Sequence, residues 1–386
     1  MMRRGAICLA VLCGLAVLVP PVAWARASKR PKGRKREEFQ CPTCRDTGRV
    51  PCPTHTRQSR RYRPFCSACP EPACCKGVGW KPCPKCADEA TKARFANIAE
   101  LYARERKGEG FYPWGNEGFF KAACEHYRFK AAATHKECHE FHAVAERAFD
   151  LFERIFGEEG VDQLQWDDKA HFLILRSRDQ YLEFLEWYKN NRNVDPNRID
   201  FLKQSACGAR LITERLQTLI RAETGGAKEN MSMLLHRIAH AAGHLAIENY
   251  KVHGATPPWL NEGWAGRSEV EALKRPAVYC IQYVAGGHEK RQPHQWRRTV
   301  RDAIRKKTIP TFERLFAYAN VGEMGVVEWS MSISLVDWLV TKFPRKTVRL
   351  VNAIKDGTAS KEAFEEVFGA ELVRIEKAWQ QWARRQ

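Results

Sequence analysis

The chain has 386 residues and a formal net charge of +19, and 44% of its residues are hydrophobic. This length excludes one ordinary small domain and predicts two domains with extensions, while the apolar content is enough for a substantial core. The positive charge is concentrated in runs at residues 26–36 and 297–307, which are typical of solvated linkers and helix faces. Basic runs of this kind indicate nucleic-acid binding only in a minority of proteins. We therefore do not expect a nucleic-acid partner.

The N-terminus has the three parts of a secretory signal. Two arginines precede an apolar stretch over residues 6–19, and small residues around Ala25 mark a cleavage site. We assign residues 1–27 to a signal peptide and residues 28–40 to a basic linker. Two prolines and the short apolar core argue against the alternative, a retained membrane anchor. The sequence thus predicts an exported protein, periplasmic or extracellular, with no transmembrane span after cleavage.

Ten residues that are able to bind a metal lie between residues 41 and 86, mostly in CxxC or CxxH pairs. Such pairs, set on tight turns, are typical of tetrahedral zinc with ligands from two pairs. A segment this small, which we assign to residues 41–87, needs metal or cross-links to fold. The residues are Cys41, Cys44, Cys52, His55, Cys66, Cys69, Cys74, Cys75, Cys83 and Cys86.

The strings CPTCRDTGRVPC and CCKGVGWKPCPKC resemble the CxxCxGxG repeats in the zinc-binding region of DnaJ-type chaperones, in a degraded form. The resemblance implies one zinc ion that is shared by Cys41, Cys44, Cys83 and Cys86. It implies a second ion held by Cys52, His55 and two of Cys66, Cys69, Cys74 and Cys75. Disulfides are the alternative, since export places thiols in an oxidising compartment. With zinc, one or two ions would give the module a structural or protein-binding role.

Residues 88–138 are predicted to be a connector of helix and loop. Residues 88–106 have a charged helical pattern, and residues 108–118 are rich in glycine and aromatic residues, as in a turn-rich loop. Cys124 and Cys138 follow, as a possible disulfide or as two single buried thiols.

Residues 139–386 are predicted to form an α+β domain. A helix with apolar residues at helical spacing is expected over about 139–156. Strands are expected at 171–177 and within 207–223, followed by a helix with an HxxxH motif and then mostly helices. Strands before such a helix predict a small sheet beside a cleft, where a sheet edge can hold an extended peptide.

The motif that carries chemistry is HRIAH followed by PPWLNEGWA. His236 and His240 are four residues apart on an apolar helical pattern, so both imidazoles can face one metal ion. Glu262 begins a second apolar segment after two prolines and is the natural third ligand, because zinc accepts carboxylate oxygen. Arg237 directly follows the first histidine.

These segments resemble the gluzincin, or peptidase-MA-like, metallopeptidases over roughly the last 240 residues. The resemblance implies a zincin-like domain in which His236, His240 and Glu262 bind one zinc ion. Arg237 occupies the position of the family's catalytic glutamate, and a guanidinium cannot accept a proton from water. The region around Val326 also lacks the tyrosine that members often place before a late helix.

Alternatives for the missing base remain open. His244 forms a second HxxxH pair with His240, and this pair also has no glutamate between its members. Glu248, Glu269 and Glu271 are nearby carboxylates that can in principle replace the base.

We therefore expect an exported, catalytically impaired zinc-metallopeptidase-like protein that binds a peptide or protein ligand. One alternative is an active zinc metallopeptidase with a non-standard general base. Another is a scaffold that docks a partner through its zinc module.

Overall fold

The computed structural model describes residues 40–55, 65–67, 73–115, 118–166, 169–192, 194–205, 208–221, 231–251, 255–278, 280 and 293–386. The predicted signal peptide, the basic linker up to residue 39 and Cys69 lie outside the described residues. None of the helices within these ranges combines the length and apolar character needed to cross a membrane.

Two sheets lie among the described residues. A small antiparallel sheet pairs β1 (Arg49–Pro51) with β3 (Trp80–Pro82). The large sheet has the order β2-β4-β5-β6-β8-β7, in which β5, β6 and β8 are mutually parallel and the other pairs are antiparallel. Its strands are β2 (Phe65–Cys66), β4 (Phe120–Ala123), β5 (Tyr127–Ala131), β6 (Ala170–Leu175), β7 (Arg210–Leu211) and β8 (Leu216–Ile220).

Twelve α-helices are formed by the described residues, so the predicted α+β class is confirmed. The first six are α1 (Glu89–Arg106), α2 (His135–Asp162), α3 (Arg178–Arg192), α4 (Pro196–Lys203), α5 (Met231–Asn249) and α6 (Pro258–Leu273). The C-terminal six are α7 (Trp296–Arg305), α8 (Phe312–Phe316), α9 (Val326–Lys342), α10 (Pro344–Lys355), α11 (Ser360–Phe368) and α12 (Leu372–Ala383).

Helix α2 begins four residues before the predicted start at His139. A capping box explains the earlier start: the Thr134 side chain accepts a hydrogen bond from the Glu137 amide, and the Glu137 carboxylate accepts one from the Thr134 amide. The predicted boundary between residues 138 and 139 therefore falls inside this helix.

Strands β4 and β5 lie in the range predicted as a helical and loop connector. The charged residues of β5 conceal it in the sequence, because the Arg128 and Lys130 side chains are buried with partners instead of exposed. Lys130, for example, is buried and its Nζ donates hydrogen bonds to the carbonyls of Tyr112 and Trp114 at 2.6 and 2.8 Å. The connector thus supplies two strands of the large sheet.

Helices α2, α5, α6 and α9 pack together and form much of the core with the large sheet. Close approach of α5 and α6 requires a glycine, since a Cβ at Gly243 would lie 2.8 Å from the Ala265 Cα. A Cβ at Gly263 would likewise lie 2.5 Å from the Ser332 carbonyl oxygen on α9. These contacts place one face of α5 directly against the N-terminal half of α6.

A buried ion-pair cluster joins α1 to the large sheet. The Glu105 carboxylate lies 2.7 Å from Arg128 Nε on β5 and 2.7 Å from Lys169 Nζ, next to β6. The Lys169 ammonium also lies 4.2 Å from the centroid of the Tyr102 ring.

Candidate metal centres

The first candidate centre is formed by two CxxC turns at one end of the small sheet. Because Arg49 pairs with Pro82, the turn before β1 and the turn after β3 meet. The four sulfur atoms lie within 4.8 Å of one another, with Cys41 Sγ 3.8 Å from Cys83 Sγ. Tetrahedral zinc with Zn–S bonds of about 2.3 Å separates its sulfurs by roughly 3.8 Å. The group is Cys41, Cys44, Cys83 and Cys86, the set that the sequence resemblance implies.

Local backbone geometry favours the thiolate form of Cys41, one member of this group. The backbone N–H of Cys44 is the largest influence that lowers the pKa of the Cys41 thiol to about 6, which favours the thiolate. Arg45 and Asp46 have φ values of 52° and 63°, so the chain turns sharply directly after the first CxxC pair.

The second candidate centre lies at the opposite end of the same small sheet. His55 Nδ1 is 2.9 Å from Cys74 Sγ and 3.5 Å from Cys52 Sγ. The group is Cys52, His55, Cys74 and Cys75, so its last two members come from the CC pair and not from Cys66.

The alternative of disulfides finds no support among the described cysteines, each of which is a free thiol. Neighbouring sulfur atoms in the small-sheet groups are 3.1 to 3.8 Å apart, whereas a disulfide bond is about 2.05 Å long. Cys124 and Cys138 are single buried thiols.

The third candidate centre lies between α5 and α6. His240 and His244 are one turn apart on α5, Glu262 lies in the N-terminal half of α6, and Cys280 follows α6. Cys280 Sγ lies 3.2 Å from His240 Nε2 and 3.4 Å from His244 Nε2. The Glu262 carboxylate lies 3.6 Å from the first of these nitrogens and 3.5 Å from the second. All four potential ligand atoms lie within 4.8 Å of one another.

The structure brings together two of the three ligands predicted for this centre and adds two others. His236, the remaining predicted ligand, lies outside the group, and its Nδ1 is 2.6 Å from Glu269 Oε1. The reason is the contact at Gly243, which sets α6 against the C-terminal half of α5, so that Glu262 faces His240 and His244.

The sequence pattern offers the His240 and His244 pair only as an alternative and does not indicate Cys280 as a ligand. HAAGH, one turn after HRIAH, was the available signal for the pair. Cys280 has no neighbouring cysteine or histidine at ligand spacing, so no local pattern marks it as a ligand.

A chain of hydrogen bonds behind His244 orients its ring toward the group. His244 Nδ1 lies 2.6 Å from Asn261 Oδ1, so this nitrogen carries the proton and Nε2 keeps a lone pair. Asn261 Nδ2 in turn donates to Glu248 Oε1 at 2.5 Å, and the other Glu248 oxygen lies 2.6 Å from Arg210 Nε. His240 Nδ1 lies 3.4 Å from Glu269 Oε2 on the side away from the group.

The surroundings of Glu262 fit a bound cation. Its carboxylate is fully buried, and only one oxygen has a hydrogen-bond partner, Trp329 Nε1 at 3.3 Å. Burial alone would raise the pKa of this carboxyl, but His244 and His240 lower it to about 2. A buried ionised carboxylate with an oxygen that no described group satisfies, beside two imidazoles and a thiol, is a donor set suited to a metal ion.

No described carboxylate is placed as a general base at this centre. Ala241 follows the first histidine of the group, and the Arg237 guanidinium donates to the Ile220 carbonyl at 3.0 Å. Glu248 and Glu269 support the histidines as described above. Glu271 is bound to Arg154 and Arg267 at 2.7 and 3.0 Å.

A cavity of about 360 Å³ opens beside this centre, between α4, α5 and strands β7 and β8. Its described lining includes Arg237 and the four residues of the group, and it contains no tyrosine. Phe201 and Ile212 also line it while remaining 65% and 44% exposed, so two large apolar side chains lie at its opening. The candidate centre therefore has an apolar opening to the surface.

A scan of protein-family models finds no match for this chain, and a search of curated proteins finds none either. The case for metal binding therefore depends on the donor groups themselves.

Proposed function

We propose that the protein is an exported zinc-binding protein with a gluzincin-like, peptidase-MA-like domain that binds peptide or protein segments without hydrolysing them. The observation that carries this proposal is the complete donor set of His240, His244, Glu262 and Cys280. Four protein donors leave tetrahedral zinc without the open position that catalytic sites keep for water.

Zinc is the metal that suits these donors. It takes imidazole nitrogen, thiolate sulfur and carboxylate oxygen, with bonds of about 2.0 to 2.3 Å that place neighbouring ligands roughly 3.3 to 3.8 Å apart. The Nε2–Sγ and Nε2–carboxylate distances of 3.2 to 3.6 Å agree with this spacing. The ring N–H of His244 meets the Asn261 amide oxygen at 2.6 Å, as zinc-bound imidazoles usually do.

The absence of a suitably placed carboxylate among the described residues supports binding over hydrolysis. A general base at the position of Ala241 would take a proton from the attacking water, a contribution worth roughly 10²- to 10⁴-fold in rate. A methyl group cannot make this contribution. The chemistry left to the site is structural: zinc would fix α5, α6 and the segment after α6 relative to one another.

The cavity beside the centre supports a peptide ligand. Strand β7 is the last strand of the large sheet, and no described strand pairs with its outer edge. Such an edge can hydrogen-bond an extended peptide, while nearby pockets accept alternate side chains. Phe201 and Ile212 offer apolar contacts, and Arg237 contributes positive charge to the interior of the cavity.

The cysteine-rich segment at residues 41–87 extends the same proposal. Its two groups would hold two zinc ions in a degenerate form of the DnaJ-type zinc module. With four donors each, they would stabilise a segment that is too small to fold on apolar burial alone. The N-terminal sequence supports export of the whole assembly.

Peptide binding tests the proposal. An unbiased peptide library is applied to the zinc-loaded mature protein, and selected peptides are measured by fluorescence polarisation. Ile212→Glu should weaken binding at least tenfold, or about 1.4 kcal/mol, because it places a charge in the apolar opening. Val373→Glu is the matched control, since Val373 is 75% exposed and does not line the cavity.

Two results would contradict the proposal. Equal peptide affinity of both variants would show that the peptide does not bind in the cavity. Chelator-sensitive cleavage of the peptides by the wild-type protein would instead establish an active peptidase with another base.

A further inference from the structure

We propose a further metal site, formed by Cys66, His135 and His139, which fastens the cysteine-rich segment to helix α2. The potential ligand atoms of these three residues lie within 4.8 Å of one another. The site is independent of the proposed peptide-binding function, because it shares no residue with the centre between α5 and α6.

Two chain segments that are about 70 residues apart in sequence meet at this point. Cys66 lies on the two-residue strand β2, with only 1% of its surface exposed. His135 and His139 are one turn apart at the start of α2, and their Nε2 atoms are 2.8 Å apart. The thiol and both imidazoles therefore approach a common point from two different elements.

A neighbouring residue orients the second histidine. His142 Nε2 lies 3.3 Å from His139 Nδ1, and the His142 side chain is fully buried. A hydrogen bond at Nδ1 leaves Nε2 of His139 as the ligand atom, the usual arrangement behind metal-bound imidazoles.

A metal ion here would strengthen a weak attachment. Among the described residues, strand β2 pairs with β4 through Phe65 with Ala123 and Cys66 with Ala122, and a further hydrogen bond joins the Ser67 amide to the Lys121 carbonyl. So short an edge strand is poorly held by its backbone alone. Metal–ligand bonds that join Cys66 to the two histidines of α2 would fix the middle of the cysteine-rich segment to the core.

The donors favour a borderline divalent cation. One thiolate and two imidazoles suit zinc, and they provide none of the oxygen donors that magnesium and calcium require. His135 and His139 are partly exposed, so solvent can reach the fourth position. This arrangement differs from the three closed groups, which supply four protein donors each.

The zinc content of the full mature chain tests the site. It is measured by elemental mass spectrometry after the protein has been saturated with Zn²⁺ and free ion has been removed. Cys66→Ser and His135→Ala should each bind one equivalent less than the wild type. Cys138→Ser is the matched control, because this buried thiol lies on the same helix outside the group and should leave the metal content unchanged.

A second measurement addresses the thiol directly. Because Cys66 is buried, alkylation is followed across a denaturant series: Zn²⁺ should raise the denaturant concentration at which Cys66 reacts in the wild-type protein, and His135→Ala should reduce that increase. If Cys66→Ser fails to fold, His135→Ala decides the question, because its side chain is partly exposed and its removal leaves no large cavity. Unchanged metal content and unchanged alkylation in His135→Ala would overturn the site and leave only a hydrogen bond between two histidines.

Discussion

Peptide hydrolysis should rise by about 10²- to 10⁴-fold when Ala241→Glu is added to a Cys280→Ala variant. The first change supplies a carboxylate one residue after His240, and the second frees a coordination position for water. Neither change should suffice alone, because one leaves the metal closed and the other leaves no base. The measurement is kcat/KM on fluorogenic peptides with and without a chelator.

Arg237→Glu combined with Cys280→Ala is the control for this experiment. It supplies a carboxylate to the HxxxH pair first predicted from the sequence, His236 with His240, and should leave hydrolysis at the level of Cys280→Ala. Activation by Arg237→Glu instead of Ala241→Glu would show that the catalytic geometry belongs to that earlier pair.

Glu105→Ala should lower the free energy of unfolding by about 3 to 5 kcal/mol. The carboxylate is fully buried and lies 2.7 Å from both Arg128 Nε and Lys169 Nζ, so its loss removes a counter-ion that two buried cations share. Burial already lowers the pKa of Lys169, and Glu105 opposes this change. Denaturant unfolding of the zinc-saturated protein provides the measurement.

Glu158→Ala is the matched control for the buried cluster. Glu158 also contacts two arginines, with distances of 2.9 and 3.4 Å, but its side chain is 61% exposed. Exposed ion pairs contribute about 0 to 1 kcal/mol, so this variant should be nearly as stable as the wild type. Equal destabilisation by both substitutions would contradict the importance of burial at Glu105.

Patterns that repeat over a short distance were readable from the sequence. CxxC spacing and a chaperone-like resemblance were enough to propose Cys41, Cys44, Cys83 and Cys86 as one group, which the antiparallel pairing of β1 and β3 brings together. Helical spacing predicted the core of α2, and strand propensity predicted β6. The α+β class followed from this order of elements.

Contacts between distant segments were not readable in the same way. Three histidines recur every four residues on α5, so spacing alone cannot choose between His236 with His240 and His240 with His244. The choice depends on the crossing of α5 and α6 at Gly243, which brings Glu262 to the second pair. Cys280 and Cys66 become candidate ligands only when chain segments without local ligand spacing meet histidines of other elements.

The metal content of His244→Ala and His236→Ala, measured in the full mature chain at saturating Zn²⁺, tests the central claim most directly. His244→Ala should bind one zinc ion less than the wild type, because it removes a ligand of the centre with Glu262 and Cys280. His236→Ala should bind as many ions as the wild type, because His236 lies outside the group and its Nδ1 is paired with Glu269 Oε1. Loss of one ion in His236→Ala with full retention in His244→Ala would contradict the proposed metal centre.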